Sequence, residues 1–390
     1  MRPLRLPLLL LLGFLFGMGA RAADVMVATP AELRAAVAAA RPGTKILLAG
    51  GTYTGGFLFA NLRGEPERPI VLAAADPKNP PLFADAKTGL HLTNPAWVEL
   101  RDLAFTRLSD NGLNLDDGGP APAGEGERRA HHITVRGLRV TDVGTTGNQD
   151  GIKLSGLWDF RVEDCVIERW GTGGGSAIDM VGCHRGVIAG NTIRHREPAP
   201  GNCTGVQMKG GSAEIAVVRN RFEQAGGRAV NIGGSTGRPF FRPPLDGAGL
   251  RAEARAIRVE GNTFVGGVAP MAFVGVDGAE VRFNSIEVPG RWALRILQEN
   301  RAADFVGSRG GVFTDNVVIF DSAQWAEGGV NIGTGTAPET FVFARNWWWC
   351  RDRPDRSAPR LPTPETDGVY GRDPAEAKGK AGADAWREHK

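Results

Sequence analysis

DGIKLSG (150–156), SAIDMVG (176–182), TGVQMKG (204–210), RAVNIGG (228–234), APMAFVG (269–275), RWALRIL (291–297) and GGVNIGT (328–334) are seven versions of one short strand. In each, two apolar residues flank a central one. The apolar pairs are Ile152/Leu154, Ile178/Met180, Val206/Met208, Val230/Ile232, Met271/Phe273, Leu294/Ile296 and Val330/Ile332. A strand alternates its side chains between two faces, so the central residue must point the other way. That residue is polar in six of the seven segments: Lys153, Asp179, Gln207, Asn231, Arg295 and Asn331, with Ala272 the exception. Alternation within segments and register between them describe parallel coils stacked on one axis. The fold expected is an all-β, right-handed parallel β-helix with a polar groove along one wall.

A second family of strands supports the winding. FRVEDCVIERW, RGVIAGNTIRHR, AEIAVVRNRFEQA, AIRVEGNTFVG, AEVRFNSIEV, GVFTDNVVIF and TFVFARNWWW each run from apolar residues into Asn or Asp. Aligned on Asp164, Asn191, Asn220, Asn262, Asn284, Asn316 and Asn346, they predict one left-handed bend per coil. Asn and Asp tolerate that backbone, and side-chain amides can stack from layer to layer.

Arg2 and Arg5, the apolar run Leu6 to Met18 and the Ala20-Arg21-Ala22 site describe a secretory signal peptide over 1–22. The run is too short to span a bilayer, which takes about 20 residues. The chain has 46 Lys and Arg against 43 Asp and Glu, and cleavage removes three arginines, leaving equal numbers. A neutral chain without a basic cluster speaks against nucleic acid and membrane surfaces as partners. A secreted or periplasmic monomer without membrane insertion is expected.

The β-helix should occupy 23–350 and an irregular tail 351–390. At its entry, Thr29 as N-cap, Pro30 at the first helical position and Glu32 predict a short helix that plugs the open end of the stack. Trp347, Trp348 and Trp349 should close the far end. Among Cys165, Cys183, Cys203 and Cys350, the pair Cys183–Cys203 is the candidate disulfide, with buried free thiols as the alternative.

Ionisable residues concentrate on the middle coils of the groove. Adjacent coils lie about 4.8 Å apart, so Asp150, Lys153, Asp179, Gln207, Lys209, Arg228 and Asn231 can converge, with Arg295 further along. Lys153 and Asp179 could equally be a solvated ion pair worth about 0–1 kcal/mol. Lys209 has Val181 and Gly233 beside it on its ladder, with Arg228 nearby. Burial and like charge would then lower its pKa, the condition a lysine base requires. The long insertion 235–255, with Arg238, Phe240, Phe241 and Arg242, would roof the groove or pack on its flank.

From its entry helix to the last coil the chain resembles secreted β-helix polysaccharide lyases of the chondroitinase-B and alginate-lyase type, within the pectate-lyase-like superfamily. ADVMVATPAELRAAVAAARPGTKILLAGGTYTGGF is similar to that family's entry, and VQMKGGSAEIAVVRNRF to its Lys-Ser strand. The resemblance implies Lys209 as base. It leaves Arg228 for the family's arginine, whose strand here runs RAVNIGG, and matches nothing in GSAIDMVG to the calcium-binding glutamates. NQDGIKLSG and AIDMVG also resemble polygalacturonase-like hydrolases, which would use Asp150 and Asp179.

The expected function is β-elimination on an acidic polysaccharide. Lys209, Arg228 and Asp179 would be catalytic, and Lys153, Gln207, Asn231, Arg295 and Asp150 would bind substrate. No cofactor is firmly implied, and calcium stays open. A hydrolase or a non-catalytic glycan-binding β-helix are the alternatives.

Overall fold

A computed structural model describes residues 24–119, 130–245, 249–377 and 381–388, so the expected signal peptide lies outside the described residues. The chain is a parallel β-helix: three long parallel sheets run side by side, and the coils that carry the groove contribute a strand to each. The groove sheet contains all seven repeated segments. Three further strands, Phe57–Ala60, Leu90–Thr93 and Leu113–Asp116, extend it toward the N-terminus.

Register follows the sequence pattern. Asn114 pairs with Lys153, Lys153 with Asp179, Asp179 with Gln207 and Gln207 with Asn231. Asn231, Ala272, Arg295 and Asn331 continue the row. Ile152, Leu154, Val206, Met208, Val230 and Ile232 are fully buried in the central core. At about 1.5–3 kcal/mol for each such side chain, slipping a strand by one residue would cost its whole apolar face.

The ladder forms at the six expected asparagines, and only its first position is one residue out. Asn191 accepts from the Cys165 amide, so Cys165 and not Asp164 holds the first position. The left-handed residues are those just before the ladder: Asp164, Gly190, Arg219, Gly261, Phe283, Asp315 and Arg345, at φ 52–67°. The asparagines themselves point inward and are at most 2% exposed. From Asn191 to Asn346, each Oδ1 accepts from the backbone amide of the preceding coil at 2.8–3.0 Å. The side-chain Nδ2 of Asn191, Asn220, Asn262, Asn284 and Asn316 donates to the next Oδ1. Inward amides are tolerated because their neighbours satisfy them.

The entry helix spans Pro30–Ala39, with the Thr29 hydroxyl accepting from the Glu32 amide and Leu33 and Val37 buried. The C-terminal stretch is more ordered than the expected irregular tail. Glu365–Thr366 and Val369–Tyr370 add strands to two sheets. The helix Gly382–Glu388 follows, with Ala381 buried against Val317 and Trp347. Glu365 explains this docking. Its Oε1 takes the Asn346 backbone and side-chain amides, and its Oε2 takes Trp348 Nε1 and the Tyr370 hydroxyl.

All four cysteines are free and buried, so the Cys183–Cys203 disulfide does not form. Cys183 follows one groove strand and Cys203 precedes the next. They are roughly a strand length, about 20 Å, apart, whereas a disulfide needs Cα atoms within about 7 Å.

Candidate functional site

Gly173, Gly174, Gly201 and Asn202, from the loops entering the groove sheet, form one wall of a depression of about 360 Å³. Gln207, Lys209, Arg228 and Asn231 form its floor, and Arg295, Glu299 and Ser235 close the far side. The glycine wall leaves the strand entrances uncovered. A wider hollow of about 800 Å³ lies along another sheet, and charged residues of its lining are paired with neighbours outside it, as where Asp277 Oδ1 meets Arg309 Nε at 2.7 Å. The smaller depression is where cations converge around hydrogen-bonding amides.

Beside its floor runs a chain of opposite charges from three coils. Asp150 and Asp179 are 6% and 2% exposed, and both face the Lys153 ammonium, with Asp150 Oδ2 at 3.3 Å. The other Asp179 oxygen lies 3.4 Å from Lys209 Nζ, an ion-pair contact that leaves it without a hydrogen bond. Lys209 donates to Gln207 Oε1 at 3.3 Å. Burial first, then the Asp179 charge, push the Asp150 carboxyl up to about 7. Burial works against the Lys153 ammonium, but Asp179 and Asp150 outweigh it and hold its pKa above the usual lysine range.

Five of the eight expected site residues line the depression: Gln207, Lys209, Arg228, Asn231 and Arg295. Asp150, Lys153 and Asp179 lie beside and beneath it. Lys153 and Asp179 are no solvated pair, because the aspartate is buried. The partly apolar setting expected around Lys209, with Arg228 as the nearby charge, is also changed. Asp179 reaches it diagonally across the sheet, and Arg228 Nη2 pairs with Glu299 Oε1 at 2.7 Å. Asn231 is 1% exposed, its carbonyl taken by Arg228 at 3.3 Å. Arg295 is set against the Trp292 face, its guanidinium carbon 4.3 Å from the ring centre.

The described part of the 235–255 insertion straps the flank of the helix; only Ser235 from it lines the depression. Phe241 is buried against Phe305, with ring centres 5.5 Å apart. Arg242 runs back across the corner where the groove strands end. Its amide donates to Gly210 O, its carbonyl accepts from His184, and its guanidinium grips Asp117 through two bonds of 2.8 and 3.1 Å. Glycine at 182 is required there, since a Cβ would sit 2.5 Å from Arg242 Cβ.

Two features escaped the sequence pattern. Glu299 lies in a loop after its strand, where no periodicity marks it. His91 occupies the central position of GLHL, and extending the ladder upstream would have found it. It bonds Asp116 two positions along the next coil, and Asn114 also donates to that carboxylate, at 3.1 Å.

Calcium takes six to eight oxygen ligands. Among the described residues no three His, Cys, Asp or Glu side chains gather. The Asp150 and Asp179 carboxylates are already turned onto lysine ammonium groups.

No protein-family model matches the chain, and no curated protein matches it in sequence. Solved structures match its fold. An alginate lyase from Paenibacillus sp. str. FPU-7 superposes with a TM-score of 0.55 at 17% identity, over 82% of this chain and 98% of that one. The pectate lyase Pel9A gives 0.51 at 14% identity, over 83% and 80%. The chain therefore has the β-helix fold of these lyases. No helix among the described residues is long and apolar enough to cross a membrane.

Proposed function

We propose that this protein is an exported, monomeric polysaccharide lyase that cleaves a uronate-containing polysaccharide by β-elimination. The observation that carries the reading is the depression itself. Its lining brings the three cations Lys209, Arg228 and Arg295 together with the amides Gln207 and Asn231, all from one sheet. The two solved lyases that share the fold support the same reaction class.

Arg228 or Arg295 neutralises the uronate carboxylate, which acidifies the neighbouring C5 proton. Lys209 first gives its ammonium proton to solvent and then, as the amine, removes the C5 proton. The electron pair forms the C4–C5 double bond and expels the glycosidic oxygen at C4, which leaves with a proton from solvent. Gln207 hydrogen-bonds a ring hydroxyl, and the buried Asn231 steadies the Arg228 guanidinium through its side-chain carbonyl. Asp179 holds Lys209 in place from below.

Hydrolysis through Asp150 and Asp179 is the second reading, and one observation favours it. A carboxyl held up to about 7 suits a proton donor. Against it, both carboxylates are buried beneath lysines, out of reach of a glycosidic oxygen.

The test incubates the protein with a panel of uronate polysaccharides and follows the ultraviolet absorbance of the unsaturated product. Absorbance that appears with the native protein and vanishes in Lys209→Ala, under conditions where the variant is fully folded, supports elimination. New reducing ends without that absorbance would favour hydrolysis, and binding without either would favour a glycan-binding module.

A further inference from the structure

Among the described residues, Glu299 is the only acid lining the depression, and it is ion-paired with Arg228. The Arg228 and Glu299 side chains are 21% and 36% exposed, so solvent reaches both partners of their 2.7 Å contact. The loop carrying Glu299 is fixed on either side of it. Gln298 Nε2 donates to Asn300 O and Val306 O at 2.7 and 3.0 Å, and its Oε1 accepts from the Ser308 amide at 2.9 Å. Asn300 donates at 3.1 Å to Glu253, a fully buried carboxylate that also takes the Gly210 and Thr236 amides. Between these two anchors Glu299 turns outward into the depression.

We infer that Glu299 is an internal competitor for the substrate's carboxylate: its contact with Arg228 marks where a hexuronate carboxylate is bound, and binding exchanges one for the other. This rests on the reading of the depression as a uronate site. The exchange keeps a carboxylate on Arg228 throughout, so the arginine is never left as an unmatched cation beside Lys209 and Arg295. It also filters substrates. A neutral sugar brings nothing that can replace Glu299, whereas a uronate does. A half-exposed ion pair contributes little free energy, so the exchange weakens uronate binding only about two- to fivefold. If Glu299 served merely to orient Arg228, its loss would loosen the arginine and weaken uronate binding.

The sign of the effect separates the two. Calorimetric titration of the full chain, in a Lys209→Ala background that stops turnover, would use trimers of galacturonate and of mannuronate and their neutral hexose counterparts. Glu299→Gln keeps the side-chain volume. It should tighten binding of a uronate trimer about two- to fivefold, leave the neutral trimers unaffected, and lose its effect when Arg228→Gln is added. Unchanged or weaker uronate binding in Glu299→Gln overturns the inference and leaves the lyase reading standing. An equal gain for neutral trimers also overturns it, since relief of crowding would then be the cause. If neither protein binds any uronate trimer, the inference and the lyase reading fall together.

Discussion

Lys209 Nζ lies 3.4 Å from Oδ1 of Asp179, a carboxylate 2% exposed whose other oxygen is held by Lys153. One buried anion thus orients cations from the coils on either side of its own. A lysine that lines the depression is held by an acid that does not itself line it.

Asp179→Asn keeps the shape and removes the charge, leaving the largely buried Lys153 with Asp150 alone. Breaking a buried ion network in this way costs about 3–5 kcal/mol. The expected result is a lower urea midpoint together with a loss of turnover that persists under conditions where the variant is fully folded. Full activity in the folded variant would show that Lys209 does not depend on this clamp.

Asp150 makes stability depend on pH in an uncommon direction. Its carboxyl is raised to about 7 in the folded protein, chiefly by burial and then by Asp179, against an ordinary value of 3.8. Between those values the folded state keeps a proton that the unfolded state has lost, so this group's contribution to stability falls as pH rises and levels off above about 7. Asp150→Asn removes that term. Relative to the native protein, the variant should gain more at pH 8 than at pH 5 in urea unfolding, and an equal difference at both would refute the assignment.

The strap is tested at Arg242. Arg242→Ala leaves the Asp117 carboxylate buried without its cation, a loss of about 3 kcal/mol or more. Limited proteolysis should then cut near 235–245 under native conditions. Replacing both residues by leucine should recover much of the stability, because no unmatched charge remains. If the double variant is no better than the single one, the pair's role lies elsewhere than in charge matching.

Asn284→Ala removes the acceptor for two Asn262 nitrogens in the middle of the ladder. Each buried donor left unsatisfied costs about 1–3 kcal/mol. Calorimetric unfolding should drop sharply, whereas Asp164→Ala, at the residue the structure leaves outside the ladder, should have a smaller effect.

How much of this was legible in the sequence depended on whether the information was periodic. The groove register could be read because an apolar–polar–apolar pattern recurs once per coil, and Lys153, Asp179, Gln207 and Asn231 pair in the order in which they align. The ladder was read one residue out at Asp164, since an acid at a bend resembles an asparagine and Cys165 carries no amide to betray its place. The strap was harder still. Arg242 and Asp117 are 125 residues apart, and only the winding of the intervening coils brings them together. Glu299 could not be read at all, because a loop residue after the strand repeats nothing. The diagonal reach of Asp179 to Lys209 depends on side-chain length and direction, which strand pairing does not specify.

Glu365 has a consequence for how molecules of this protein meet. Every asparagine of the ladder both accepts from the coil before it and donates to the coil after it, so the row has a polarity and could in principle be lengthened by another chain docking end to end. Glu365 ends that series. Its oxygens only accept, four donors already occupy them, and it has no side-chain nitrogen to hand on. The ladder is thereby given a terminus in its own chemistry, and neutralising that one carboxylate should favour end-to-end association of chains.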